Sequence, residues 1–509
     1  MMKLLKQISS FYQMLTFRAP KDPKTRQQAI RFLKTADPKQ LLKVSEVMAM
    51  NAFKKAARKV PGYKKILQEY GVKVGQIRHI EDFLNFVPVT DKHSTFGAYK
   101  VDQLCLDGNL NGVKTALASS GHSGVHSFGV NTARNQKDGP NAIDLGLQYF
   151  LNVDNKKTLL INTIPMGVHV PTKTVTLAET SVRADMALGF AQNFSAFFDQ
   201  TIVLGEGSFI KKVLEDGRNM GIDWKKLNTY VIAGEEWTGE NWRNYMNFLL
   251  GYPEYDPKNQ RVFVTMGLAE CDLNLFHETF ETVVIRRLAY QNKKLRYALF
   301  GHGTEACPNF FVYYPHRTYM EIAGGKQQGE TVLTMLSPQM KLPLIRYNTR
   351  DIGRIYTREQ VAKILREHGY SESLLPEWKL PFYCVYGRGQ NVAAQNKKLY
   401  PEEVKEALYK DFELAAAVTG NFKISPVNDQ YALVEIQLRP GIQVSNAFVN
   451  IFENSLAVYN SIPVKVKFFE YYNFPYGMVL DYERKFAYID PQPNSTAAHA
   501  LGKRINHSL

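Results

Sequence analysis

The sequence predicts an α/β protein, with a large N-terminal domain of α/β sheets and a β-rich subdomain, then a small mobile C-terminal α+β domain. Three observations predict it. Short β-branched or aromatic runs alternate with helix-length stretches between about residues 158 and 266, and strands alternating with helices favour a largely parallel sheet covered by helices. Between Tyr297 and Tyr356 the runs shorten, punctuated by Gly324-Gly325 and Gln328-Gly329. Past Gly387 a new series of helices and strands begins, of small-domain size.

The elements follow in order. Over residues 1–67 an apolar stripe of Leu41, Leu42, Met48 and Phe53, interrupted by Lys43, Lys54 and Lys55, predicts amphipathic helices that Pro61-Gly62 stops. Strands are expected at Thr158–Ile164, Thr201–Leu204, Thr229–Ala233 and Arg261–Met266, with helices at Phe209–Asn219 and Glu240–Leu249. The last part reads as a helix over Pro401–Tyr409, its proline tolerated at the helix start. Strands follow at Leu414–Ile424 and Tyr431–Leu438, then a helix at Ser445–Tyr459 and a strand at Val464–Tyr472. These readings place an N-terminal domain over 1–387, with a basic helical lead over 1–67. A C-terminal domain spans 388–509, its Pro/Ser/Ala-rich tail loose from about 491.

Composition narrows the function. With 45% hydrophobic and 22% charged residues, the chain can bury a core and is not of the disordered class. No apolar run has the length of a membrane span, and the basic start leads into Ser9 and Ser10, not an apolar signal core. Cys105, Cys271, Cys307 and Cys384 are scattered, which suits a reducing cytoplasm. Of the net charge of +15, thirteen come from residues 1–67, where sixteen Lys and Arg face three acids. That face suits an acidic partner such as a carrier protein or an anionic membrane, or it is a solvated helical surface. It carries no nucleic-acid motif, and none is expected to bind.

Three segments carry chemistry. Ser119-Ser120-Gly121-His122-Ser123-Gly124 combines glycines with small hydroxyls, so that successive N–H groups can face one anion such as a phosphate. It lacks the Gly-Lys-Ser/Thr of a Walker loop and the closing glycine of a hydrolase elbow. In Arg346-Tyr347-Asn348-Thr349-Arg350-Asp351 an aspartate follows an apolar strand, where it can accept two hydroxyl hydrogen bonds, as from a ribose, or pair with Arg346 or Arg350 as a turn residue. Gly387-Arg388-Gly389-Gln390, followed by Tyr400-Pro401-Glu402-Glu403-Val404, joins the two domains and puts an arginine at the joint.

In this order the segments resemble the adenylate-forming superfamily of acyl-CoA ligases and adenylation domains, most closely its phenylacetate–CoA ligase branch and the acyl-protein-synthetase relatives. Val60-Pro61-Gly62-Tyr63 and Pro88-Val89-Thr90-Asp91-Lys92 resemble the N-terminal region of that branch. The resemblance implies ATP-dependent activation of a carboxylic acid as acyl-AMP, with Mg²⁺, and then transfer to CoA or an acidic carrier protein. It makes Ser119, Ser120, Gly121, Ser123 and Gly124 the phosphate loop, Gly234 and Glu235 the adenine turn, Met266 a nucleotide neighbour, Asp351 the ribose ligand and Arg388 the hinge arginine. Glu270, in Met266-Gly267-Leu268-Ala269-Glu270, becomes the catalytic Mg²⁺ carboxylate, with Glu305 of Gly303-Thr304-Glu305 as the alternative.

The resemblance also implies a lysine at the oxygen where charge develops between carboxylate and α-phosphate. Lys485 is preferred, since such a charge must be held by packed structure, and Lys503 of the tail is the alternative. Gln390 and Asn391 replace the acids of the family's hinge, which leaves CoA open as the acceptor. Transfer to an amine or protein side chain, or a non-catalytic binder of this fold, are the rival readings. Cys271, His277 and Cys307 have zinc-ligand chemistry but no repeated Cys-x-x-Cys, so buried core cysteines are the default.

Overall fold

The computed structural model describes residues 22–119, 125–165, 167–235, 237–302, 305–428, 430–476, 482 and 486–489. They divide into two compact units, with the boundary in the chain after Arg388.

The first unit is built on one eleven-stranded sheet. Four parallel pairings join Thr176–Glu179, Thr158–Asn162, Gln200–Gly205, Thr229–Gly234 and Val262–Leu268. From Val262–Leu268 the sheet turns antiparallel, through Asp272–His277, Asn309–Tyr313, Phe382–Val385, Tyr347–Tyr356, Gly329–Met335 and Thr318–Ile322. The β-rich stretch is therefore continuous with the α/β stretch. The central strands read as unbroken apolar runs because both faces are covered: Thr158–Asn162 and Gln200–Gly205 are buried at every position. A separate hairpin pairs Val113–Ala118 with Phe128–Thr132.

The lead helices are Pro23–Thr35, Pro38–Lys59 and Pro61–Glu69. Each opens on a proline, whose missing N–H is an orphan at a helix start anyway. Pro61 thus ends one helix and starts the next. Leu41, Met48 and Phe53 are buried, as their spacing requires. The basic face is smaller than the charge count suggests. Lys55 donates to the Pro338 carbonyl, and Lys59 reaches Asp107 at 3.3 Å. Lys54, Arg58, Lys64 and Lys65 stay exposed.

The second unit has a three-stranded sheet, with Val418–Asn428 antiparallel and Val464–Phe469 parallel to the central Tyr431–Leu438. Helices Pro401–Lys410, Phe412–Ala417 and Asn446–Leu456 accompany it. The strand expected from Leu414 starts only at Val418. The Asp411 carboxylate accepts the Glu413 and Leu414 N–H groups, both at 2.9 Å, and so caps a helix over that alanine-rich stretch.

A charge network lies buried behind the parallel half of the sheet. Glu240 and Arg243 open helix Glu240–Leu249, and Arg286 lies in helix Phe280–Gln291. Arg286 Nη1 is 3.0 Å and Arg243 Nε 3.2 Å from Glu240 Oε1, while Arg243 Nη2 is 2.7 Å from Glu278 Oε1. Glu278 Oε2 accepts the Val264 N–H at 2.9 Å, and Arg286 Nη2 donates to the Cys307 carbonyl at 2.8 Å. Removing one partner from such a network leaves a desolvated charge uncompensated. Arg286→Met should therefore cost about 3–5 kcal/mol, seen as a lower urea midpoint, whereas Lys54→Met on the exposed face should leave the midpoint within error.

Candidate active site

The candidate site lies at the carboxyl ends of the parallel strands, where open α/β sheets place ligands beside a change in strand order. Beyond Leu268 the chain turns through Ala269 and Glu270, with the Cys271 N–H on the Leu268 carbonyl at 2.9 Å. The hairpin 113–132 packs onto this turn at Gly129. A Cβ at Gly129 would lie 2.0 Å from the Ala269 carbonyl oxygen, so only glycine allows the approach. The neck of the Ser/Gly-rich loop is closed by Ser119 and Ser127: the Ser119 N–H donates to the Ser127 carbonyl at 2.9 Å, and the Ser127 N–H to Ser119 Oγ at 3.0 Å. Ser120, Gly121, Ser123 and Gly124 lie outside the described residues.

The segment Pro88–Lys92 pairs with the strand that carries Asp351. The Thr90 N–H donates to the Arg346 carbonyl at 2.9 Å, and the Asn348 N–H to the Thr90 carbonyl at 2.7 Å. Two arginines fasten this joint, and neither is given over to Asp351 in the way a turn reading requires. Arg346 is buried; its Nε donates to the Glu321 carboxylate at 3.1 Å, and its Nη1 to the Phe83, Leu84 and Val87 carbonyls. It thereby satisfies the last turn of helix Ile80–Phe86. Arg350 pairs with Asp91 and, at 3.3 Å, with Glu330. Burial would push the Asp91 carboxyl up, but the Ser94 N–H and hydroxyl and the Arg350 guanidinium hold it at about 2. Arg350 itself sits at φ +67°, a left-handed conformation that costs a non-glycine residue about 1–3 kcal/mol.

Beyond that kink Asp351 is 1% exposed. Its N–H donates to Thr349 Oγ1 at 3.2 Å, and Arg388 Nε stands 3.6 Å from its carboxylate. Gly387 and Gly389, at φ +95° and +67°, flank Arg388. Glu270 accepts the Tyr347 hydroxyl at 2.9 Å, and burial followed by the Glu270 charge pushes that phenol far up, so it stays a donor. Lys92 was assigned no role from sequence. Its ammonium donates to Ser119 Oγ at 3.0 Å, and burial lowers its pKa, with Glu270 opposing and Arg388 adding to the shift. Loop neck, lysine, Glu270 and Arg388 thus form one polar cluster, with Tyr347 and Asp351 as its buried members. Sequence carries no signal for this role, because the pairing that brings Lys92 to the aspartate strand joins Thr90 to residues 255 and 256 positions away.

The remaining candidates are placed as follows. Gly234 ends its strand, and Glu235, 7% exposed, accepts the Gly207 N–H at 3.2 Å while its own N–H meets the Thr265 carbonyl at 3.0 Å. Met266 pairs with Phe276 and lies in the core under the hairpin, together with Cys271. Glu305 is engaged by Tyr297 Oη at 2.5 Å and Lys293 at 3.4 Å, on helix Lys293–Phe300. Cys271, His277 and Cys307 do not converge. Cys307 belongs to a different core cluster from Cys271. His277 lies among Phe150, Tyr314 and Trp378, and burial, then Arg317, pulls it down to about 3. No group of three metal-ligating side chains forms among the described residues, nor does any helix there have the length and apolarity to cross a membrane. Lys485 and Lys503 lie outside the described residues.

The donor set fits Mg²⁺ bound chiefly by a ligand's phosphates. That ion takes one or two carboxylates, keeping its other positions for phosphate and water, and Glu270 is a half-buried carboxylate whose hydrogen-bond partner among the described residues is the Tyr347 hydroxyl.

No family model and no curated protein matches the sequence. Solved structures do match in fold. A 2-hydroxyisobutyryl-CoA ligase in the postadenylation state, in complex with R3-HIB-AMP, superposes with a TM-score of 0.63 at 13% identity, covering 89% of each chain. The same ligase with 2-HIB-AMP and CoA in its thioesterification state gives 0.54 at 13% identity, over 90% of this chain and 91% of that one. The fold is therefore that of an acyl-CoA ligase, in agreement with the α/β architecture read from the sequence.

Gly129→Ala tests how the hairpin is held. The added methyl should lever the hairpin off the Ala269–Glu270 turn, raising amide hydrogen exchange in Val113–Ala118 and Phe128–Thr132 and leaving Thr158–Asn162 and Gln200–Gly205 protected.

Proposed function

We propose that the chain is an adenylate-forming ligase, which activates a carboxylic acid with ATP and passes the acyl group to a thiol. The observation that carries this reading is the convergence of Lys92, the Ser119 loop neck and Glu270 with Tyr347 and the Asp351–Arg388 pair in one cluster. One end of that cluster suits phosphates and the other a ribose diol. The fold shared with a ligase captured with acyl-AMP supports it. The arrangement of motifs favours the phenylacetate–CoA ligase branch, with CoA or a carrier protein as acceptor.

In the first half-reaction a carboxylate oxygen attacks the α-phosphorus, and the bond to pyrophosphate breaks. Two anions must meet, so the site has to offset their repulsion. Lys92 supplies a cation beside the loop, the loop N–H groups supply dipoles, and Asp351 fixes the ribose, so that the α-phosphate faces the acid. Mg²⁺, held by Glu270 and the phosphates, would neutralise charge on the nucleotide. Lys485, by resemblance, is the second cation. In the other half-reaction a thiol loses its proton and attacks the acyl carbon, and AMP leaves. The exposed Lys54, Arg58, Lys64 and Lys65 suit an acidic acceptor such as a carrier protein.

ATP–pyrophosphate exchange across a panel of carboxylic acids tests the reading. An acid that supports exchange is expected, and none across aryl, hydroxy and medium-chain acids would leave a nucleotide binder. With that acid, Asp351→Ala should weaken ATP binding by about 2–4 kcal/mol. Lys485→Ala and Lys92→Ala should each slow exchange by roughly 10²-fold, and Lys503→Ala should leave it intact. Sensitivity of Lys503 in place of Lys485 would move the catalytic loop into the tail.

A further inference from the structure

We infer that Arg350 is a positioning residue that sets the span between Lys92 and Asp351, so that the two hold one nucleotide as a matched pair. The inference rests on the nucleotide reading above. Arg350 immediately precedes Asp351, and its partner Asp91 immediately precedes Lys92. Its guanidinium therefore links the two arms of the cluster one residue away from each binding group. The link is closed on its far side. Glu330 takes Arg350 Nη1 at 3.3 Å and Asn348 Nδ2 at 2.6 Å, while Asn348 Oδ1 accepts the Arg350 N–H at 2.8 Å. The Asn348 N–H in turn holds the Thr90 carbonyl at 2.7 Å. Moving Arg350 thus moves both arms.

Backbone economy does not explain an arginine here. At φ +67° glycine would be at ease and arginine is strained. Stability is a poor explanation as well. The guanidinium is 58% exposed, and what its pair with the 17% exposed Asp91 contributes is set against the left-handed strain that glycine would relieve. What the arginine adds over glycine is the link between strand and segment. A ligand that meets Lys92 with its phosphates and Asp351 with its ribose would feel that link. A ligand that meets Asp351 alone would not.

Calorimetry with ATP and with adenosine, on the full chain, separates these cases. Arg350→Gly should keep the unfolding midpoint and adenosine affinity within about twofold of the parent, and lose on the order of tenfold in ATP affinity, the scale of one charge-assisted contact. Arg350→Lys, which can still meet Asp91, should recover part of the loss. In the Arg350→Gly background, Lys92→Ala should cost little more, because the lysine is already misplaced. Equal losses for adenosine and ATP would overturn the inference. So would additive losses in the double variant, which mark a direct contact of Arg350 with phosphate. Unchanged ATP binding by Arg350→Gly, with Lys92→Ala impaired, would sink the inference and leave the nucleotide reading standing. A parent protein that binds neither ligand would remove the nucleotide reading itself, and this inference with it.

Discussion

Two backbone hydrogen bonds at Thr90 hold the candidate site together. They make residues 88–92 an extra edge for the strand that begins at Tyr347, and so set Lys92 against the strand that carries Tyr347 and Asp351. Arg346 secures the joint from below. A buried guanidinium needs all its donors used, and here the end of helix Ile80–Phe86 and Glu321 use them. The Arg346 side of the joint stays fixed because undoing it would strand a buried charge. The span beyond it, from Lys92 to Asp351, carries the Arg350–Asp91 link. Rigid support of this kind is what a site needs if its groups are to be aimed before the ligand arrives.

The fold was largely legible because its signals are local. Alternating apolar runs and helical stripes located four of the five parallel strands to within a few residues and missed the edge strand Thr176–Glu179, while Glu240–Leu249 was placed as it is found. Leu414–Ala417 was misread, because the capping carboxylate of Asp411 outweighs the strand-like run after it. The continuity of the parallel and antiparallel halves could not be read, since pairing between strands far apart in sequence leaves no local trace.

The site was legible in part. Asp351, Glu270 and Ser119 are motif residues; in the structure Ser119 meets Lys92, Glu270 meets Tyr347, and Asp351 is buried beside Arg388. Lys92 and Tyr347 stood inside quoted motifs without a role, because a role needs a neighbour and the neighbours lie far away in sequence: Ser119 for one, Glu270 for the other. Arg346 and Arg350 look alike in sequence. Both take left-handed backbone, at φ +47° and +67°, yet one is an internal brace and the other lies at the surface, a difference of burial that residue type does not encode. Counting charges also overstated the basic face, since Lys55 and Lys59 are spent on Pro338 and Asp107.

The buried Glu240–Arg243–Glu278–Arg286 network has a consequence for how the molecule is made. Its members come from two helices and from Glu278, the residue that follows strand Asp272–His277. A charge drawn out of water ahead of its partner carries a penalty of several kcal/mol. Neither helix can therefore dock on the sheet alone at low cost. Within the first helix the ion-pair partner of Glu240 is Arg243, and the network closes only when Glu278 and Arg286 are also in place. Joint docking of the two helices is therefore favoured over docking of either one first.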